Sequence, residues 1–136
     1  MTESHQYDRL EGRCIRVIRV FPALLSRSPL KFDLISTNID DAPPYVALSY
    51  TWDGQTPDRP VWCNGKRLLV TANAETAMRG LRRPRHDLYL WVDAVCINQA
   101  SLDEKSEQVA MMADIYRSAQ HVAIWLGDLG PGVSSA

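Results

Sequence analysis

Two carboxylates, Asp93 and Glu104, flank the polar pair Asn98-Gln99. Asp93 directly follows the apolar run Leu88-Tyr89-Leu90-Trp91-Val92, which has the composition of a strand covered on both faces. A carboxylate at such a strand end can orient a ribose hydroxyl or stabilise positive charge as a glycosidic bond breaks. It can equally accept hydrogen bonds from the amides of the turn over 94–99. Glu104 lies three residues after Ser101 at the start of a helical run, where a capping box and the helix dipole already favour an acid; a catalytic role stands beside that structural one. Asn98 and Gln99 can donate and accept, while Ser49, Tyr50 and Trp52 close another apolar run with hydroxyls and a ring on which a base could stack. Aromatic side chains in a small domain also serve simply to cover a sheet. The candidate set is therefore Asp93 and Glu104 as catalytic groups, with Ser49, Tyr50, Trp52, Asn98 and Gln99 as ligand-binding groups.

Other chemistries lack their signatures. Ser49 has no Gly-x-Ser-x-Gly elbow, and His5, His86 and His121 have no context that ties them to it. The stretch Gly127-Asp128-Leu129-Gly130-Pro131-Gly132 follows a strand but does not open a helix, so it is no phosphate loop. Cys14, Cys63 and Cys96 are odd in number and lack the close pairing of a zinc or redox site; reduced, mostly buried thiols are expected.

The elements that must position these residues follow from periodicity. Cys14 to Val20 alternates apolar and basic residues, and with the β-rich run from Leu30 to Ile35 it suggests a pair of accessory strands. After the turn Asp40-Asp41-Ala42-Pro43-Pro44, the run 45–50 reads as a central strand. Val61-Trp62-Cys63 and Arg67-Leu68-Leu69-Val70 flank Asn64-Gly65, the signature of a tight hairpin. A helix capped by Thr71 or Asn73 carries Ala74, Ala77, Met78 and Leu81 and ends before Pro84. A second, from Ser101, presents Val109, Met112, Ile115, Tyr116 and Ala119 as its apolar stripe. The run 121–126 is a third core strand. Strand, helix, strand, helix, strand implies an α/β fold in three layers: a parallel central βαβαβ sheet with helices on both faces, plus the accessory pair and the hairpin insertion. Ligands of such sheets gather at the carboxyl ends of the strands, where Ser49, Tyr50, Asp93, Asn98 and Gln99 fall.

The chain has 136 residues, 15 basic against 16 acidic side chains and a formal net charge of -1, which gives no general electrostatic case for nucleic acid or an anionic membrane as partner. No apolar run has the length of a signal peptide core or a membrane span, and a cytoplasmic location is the expectation. Residues 1–13 are expected to be a flexible segment, 14–127 the domain, and 128–136 a flexible tail.

Ala42 to Trp52, Leu90 to Gln99, Glu104-Lys105 through Gln108-Val109, Met112, Ile115-Tyr116, Ala119 and Trp125-Leu126-Gly127 together resemble the heterokaryon-incompatibility (HET) domain of filamentous fungi. The resemblance covers nearly the whole chain, in several strings of fixed order. Two positions depart from the family pattern: Asp53 stands where glycine usually follows the Tyr-x-Trp tryptophan, and Ala74 replaces a larger aliphatic residue. The family's chains usually continue past this point, which implies a C-terminally incomplete domain. The resemblance implies a role in self/non-self recognition that leads to programmed cell death, acting through homotypic or other signalling-domain partners. A more distant similarity to TIR domains (TIR-like, flavodoxin-like architecture) adds NAD cleavage as an alternative, with NAD as substrate and Asp93 or Glu104 in the site. An inactive, truncated member is the remaining alternative.

Overall fold

A computed structural model describes residues 7–25, 27–50 and 54–125, and the backbone of 131–135. Among the described residues, eight strands make one sheet: β1 (Cys14–Val20), β2 (Lys31–Asn38), β3 (Val46–Tyr50), β4 (Arg59–Cys63), β5 (Lys66–Val70), β6 (Leu88–Val92), β7 (His121–Trp125) and β8 (Pro131–Ser135). Three α-helices accompany them: α1 (Ala72–Leu81), the single turn α2 (Asp93–Cys96) and α3 (Leu102–Ser118). The spatial order is β5-β4-β2-β1-β6-β3-β7-β8.

The parallel block is present: β3 pairs in parallel with β6 on one side and β7 on the other. In chain order these three lie 2-1-3. The sheet as a whole, however, is mixed and not purely parallel. β1 runs antiparallel to both β2 and β6, and so lies in the middle of the sheet rather than in an accessory pair. Ile15, Arg16, Val17, Ile18 and Val20 of this strand are all buried, and Arg16 is accommodated inside because it has a carboxylate partner there.

The hairpin forms as its turn residues dictate: Asn64 and Gly65 take φ of 53° and 77°, and β4 and β5 pair antiparallel around them. Thr71 caps α1 by accepting from the Ala74 amide, and Ser101 caps α3 by accepting from Glu104 N–H. The run expected to be a flexible tail contains β8, paired antiparallel with β7. The segment before Cys14 is also packed in part, with Leu10 buried.

Strand alternation decides which helix each strand residue meets. Tyr50 reaches the Thr71 hydroxyl at the start of α1, while Ser49 reaches Tyr116 of α3. Tyr45 donates its hydroxyl to the Ile115 carbonyl at 2.5 Å, and Trp91 meets Tyr116 edge-on with ring centroids 5.6 Å apart. Gly80 of α1 lets the Trp125 ring close in on the other side: a Cβ there would lie 2.9 Å from it. The helices α1 and α3 thus cover opposite faces of the parallel block. Between them lies a core built on Leu48, Leu90, Val92, Ala47, Trp91 and Ile115. On α3 the buried positions are Glu104, Gln108 and Ile115, and Val109 is 53% exposed; the helix is turned relative to the apolar stripe read from sequence. The rotation follows from two polar anchors, the Glu104 carboxylate on Arg16 and the Gln108 amide donating to the Cys14 carbonyl at 3.2 Å.

Candidate functional site

Where β6 ends, the backbone turns into α2 and then reaches the α3 cap, and this short path builds one wall of a cleft of about 640 Å³. Asp93, Asn98, Gln99 and Lys105 lie on that wall. Much of the rest of the lining is apolar, from Pro57 and the end of β5 at Leu68, Leu69 and Val70, together with Thr71 and Tyr7. A concave site with a largely apolar lining and a few polar groups is the usual form of a small-molecule pocket.

Asp93 is half-buried, and burial pushes its carboxyl above the ordinary range; the Ala94 amide and the Lys105 charge only partly offset this. Its charge is felt by both Tyr50 and Tyr116, whose hydroxyls are raised chiefly by burial and further by Asp93. Asp93 is therefore a carboxyl whose proton affinity is raised by burial, set near two phenols and one ammonium. Gln99 works as a clasp: its Nε2 donates to the Asp93 carbonyl at 2.8 Å and ties the turn shut. The Asn98 side chain accepts from the Ala100 amide at 3.2 Å, which shapes the entry to α3.

Glu104 does something different from what a general acid requires. Its two oxygens take a fork of hydrogen bonds from Arg16, Nη1 to Oε2 at 2.8 Å and Nη2 to Oε1 at 2.7 Å, and Oε2 also accepts from the Asn98 amide. Burial alone would raise this carboxyl, but the Arg16 hydrogen bonds, the Asn98 amide and the Arg16 charge together leave it lowered. The Ser101 hydroxyl caps the helix as expected, while the Glu104 side chain turns away from the reciprocal capping-box bond towards Arg16. Arg16 completes its shell with the carbonyls of Cys96, at 3.0 Å, and Asp8. Such a bidentate pair fixes geometry more readily than it exchanges protons.

Of the residues singled out in sequence, Asp93, Asn98 and Gln99 come together on the cleft. Tyr50 adjoins it through Thr71. Ser49 is on the other face, near Tyr116, because neighbouring residues of a strand point oppositely. Trp52 and Asp53 lie outside the described residues. Thr71, Lys105 and Tyr7 line the cleft and were not anticipated there; a helix cap, a surface lysine and a polar N-terminus carry no local signal of a cleft. All three cysteines are free, and burial pushes the thiols of Cys63 and Cys96 up to about 12, so neither is a ready nucleophile. Among the described residues no helix is long and apolar enough to cross a membrane, and no cluster of three metal-ligating side chains occurs.

Comparison with known proteins gives a match to the family model described as heterokaryon incompatibility protein (HET) over residues 45–134. The chain is also 35% identical over 126 residues to "Heterokaryon incompatibility protein 6, OR allele" of Neurospora crassa, an alignment that covers 83% of this chain and 18% of that protein. No solved structure matches.

Proposed function

Because the chain belongs to the heterokaryon incompatibility (HET) family, we propose that it is an effector or signalling module of fungal self/non-self recognition whose engagement leads to programmed cell death. The observation that carries this reading is the family match across β3 to β8, the part of the chain that holds the cleft and α3. The engagement of Glu104 by Arg16 supports a module that works through contacts over one that needs two acids in concert. Leu102 and Val109, 79% and 53% exposed on the outer side of α3, offer apolar anchors for a homotypic or other signalling-domain partner. Induced expression of the chain in fungal hyphae tests it. Growth arrest with uptake of a vital dye is expected; normal growth while folded chain accumulates would count against the proposal.

A second reading, NAD cleavage of the TIR type, is favoured by one observation: Asp93, with its raised carboxyl, lines a largely apolar cleft large enough for a nucleoside, and Lys105 stands near for a phosphate. In this reading Asp93 stabilises the positive charge that develops on the ribose as nicotinamide leaves. Nicotinamide release from NAD should then be lost in Asp93→Asn and retained, on a folded protein, in Lys105→Ala at a raised KM. A folded chain that neither kills nor cleaves corresponds to an inactive family member.

A further inference from the structure

Beside the Asp93 cleft lies a second cavity of about 590 Å³ along the start of α3, and Tyr7 and Asn98 line both. Tyr7 is thus part of a partition. It belongs to a stretch, residues 7–11, that forms no helix or strand. Its hydroxyl donates to the Val95 carbonyl at 2.6 Å, its ring lies 4.8 Å from the Arg16 guanidinium carbon, and the neighbouring Asp8 carbonyl accepts from Arg16 Nη2. Lifting residues 7–9 breaks these contacts and leaves the β1–β2 and β1–β6 ladders intact. Arg16 would keep its fork on Glu104 and its bond to the Cys96 carbonyl, so the floor beneath the strap survives its departure. Segments held by side-chain contacts outside the ladders can open locally while the rest of the fold stays intact.

We propose that the place filled by Tyr7, a phenol subsite between the Arg16 guanidinium and the Val95 carbonyl, is an exchangeable docking site that accepts the N-terminal strap of a second copy of this chain. The two cavities are one continuous groove while the subsite is empty. The occupant follows from the site itself: Tyr7 and Asp8 satisfy it in cis, and the same segment arriving in trans meets the same donors and acceptors. In the intact chain the tethered strap competes at an effective concentration on the order of millimolar, which masks the site from free segments. The proposal concerns a contact between copies and stands whether or not the cleft cleaves NAD.

The test uses the full chain carrying Tyr7→Ala and a synthetic peptide of residues 1–10. The variant should bind the peptide at least ten-fold more tightly than the wild-type chain does, and a peptide with its own Tyr7→Ala should not bind. A Tyr7→Ala chain that melts cooperatively and shows no gain in peptide affinity overturns the proposal. Should that variant fail to fold, the milder Tyr7→Phe chain, which loses only the hydroxyl that donates to the Val95 carbonyl, decides by the same measurement: tighter binding of the wild-type peptide than the unaltered chain shows is expected, and equal or weaker binding overturns the proposal.

Discussion

Arg16 is only 1% exposed, and a guanidinium in that position is tolerable only while its carboxylate is present. Glu104→Ala should therefore destabilise the protein by about 3–5 kcal/mol in urea unfolding, the range for stranding one half of a buried pair. The double replacement Arg16→Met with Glu104→Leu should recover much of that loss; a double variant no more stable than Glu104→Ala would show that the pair's geometry, not its charge, matters most. The same carboxylate sets a pH dependence. Its folded-state pKa is lowered, so its stabilisation is full above the ordinary carboxylate range. That stabilisation drains away as pH falls through the folded value, and Glu104→Gln should flatten this acid limb of the stability profile. Asp93 has the opposite sign. Its carboxyl is raised by burial, so its charged form opposes folding at neutral pH, and stability from this group grows as pH falls through its folded pKa. Asp93→Asn should accordingly raise the melting temperature at pH 7 while removing any chemistry at the cleft; a lowered melting temperature would mean that the bond from the Ala94 amide dominates. Sequence made Asp93 legible through the apolar run before it. Glu104 was legible as a residue of the helix start, but not as the partner of an arginine 88 positions away, a pairing with no local trace.

Among the elements, the clearest are those whose ends carry their own chemistry. The Asn64-Gly65 turn, the Thr71 and Ser101 caps and the parallel strands β3, β6 and β7 all fall where composition places them. The face of α3 does not, because two of its buried positions are polar and a hydrophobic stripe passes over them. A similar blind spot conceals Gly80, which reads as a weak point in a helix but serves the approach of Trp125. Gly80→Val should cost about 1–3 kcal/mol from overpacking, measurable as an earlier urea midpoint at unchanged slope. The gain in helix propensity from replacing glycine, about 1 kcal/mol at most, offsets only part of it.

For the whole molecule, the β1 strand changes what counts as the domain. The family match begins at residue 45, after β1 and β2, yet β1 joins the parallel block to the hairpin side of the sheet. A polypeptide starting at Tyr45 would lack the strand that pairs with β6, leaving the β1-facing main-chain groups of Leu88, Tyr89 and Leu90 bare along an apolar edge. Such an edge is a template for another chain's strand, and Leu-Tyr-Leu-Trp-Val has no charge, proline or glycine to discourage it. The same strand that completes the core in the intact chain thus serves as a guard against fibrous self-association, and its protection depends on residues that lie outside the region by which the family is recognised.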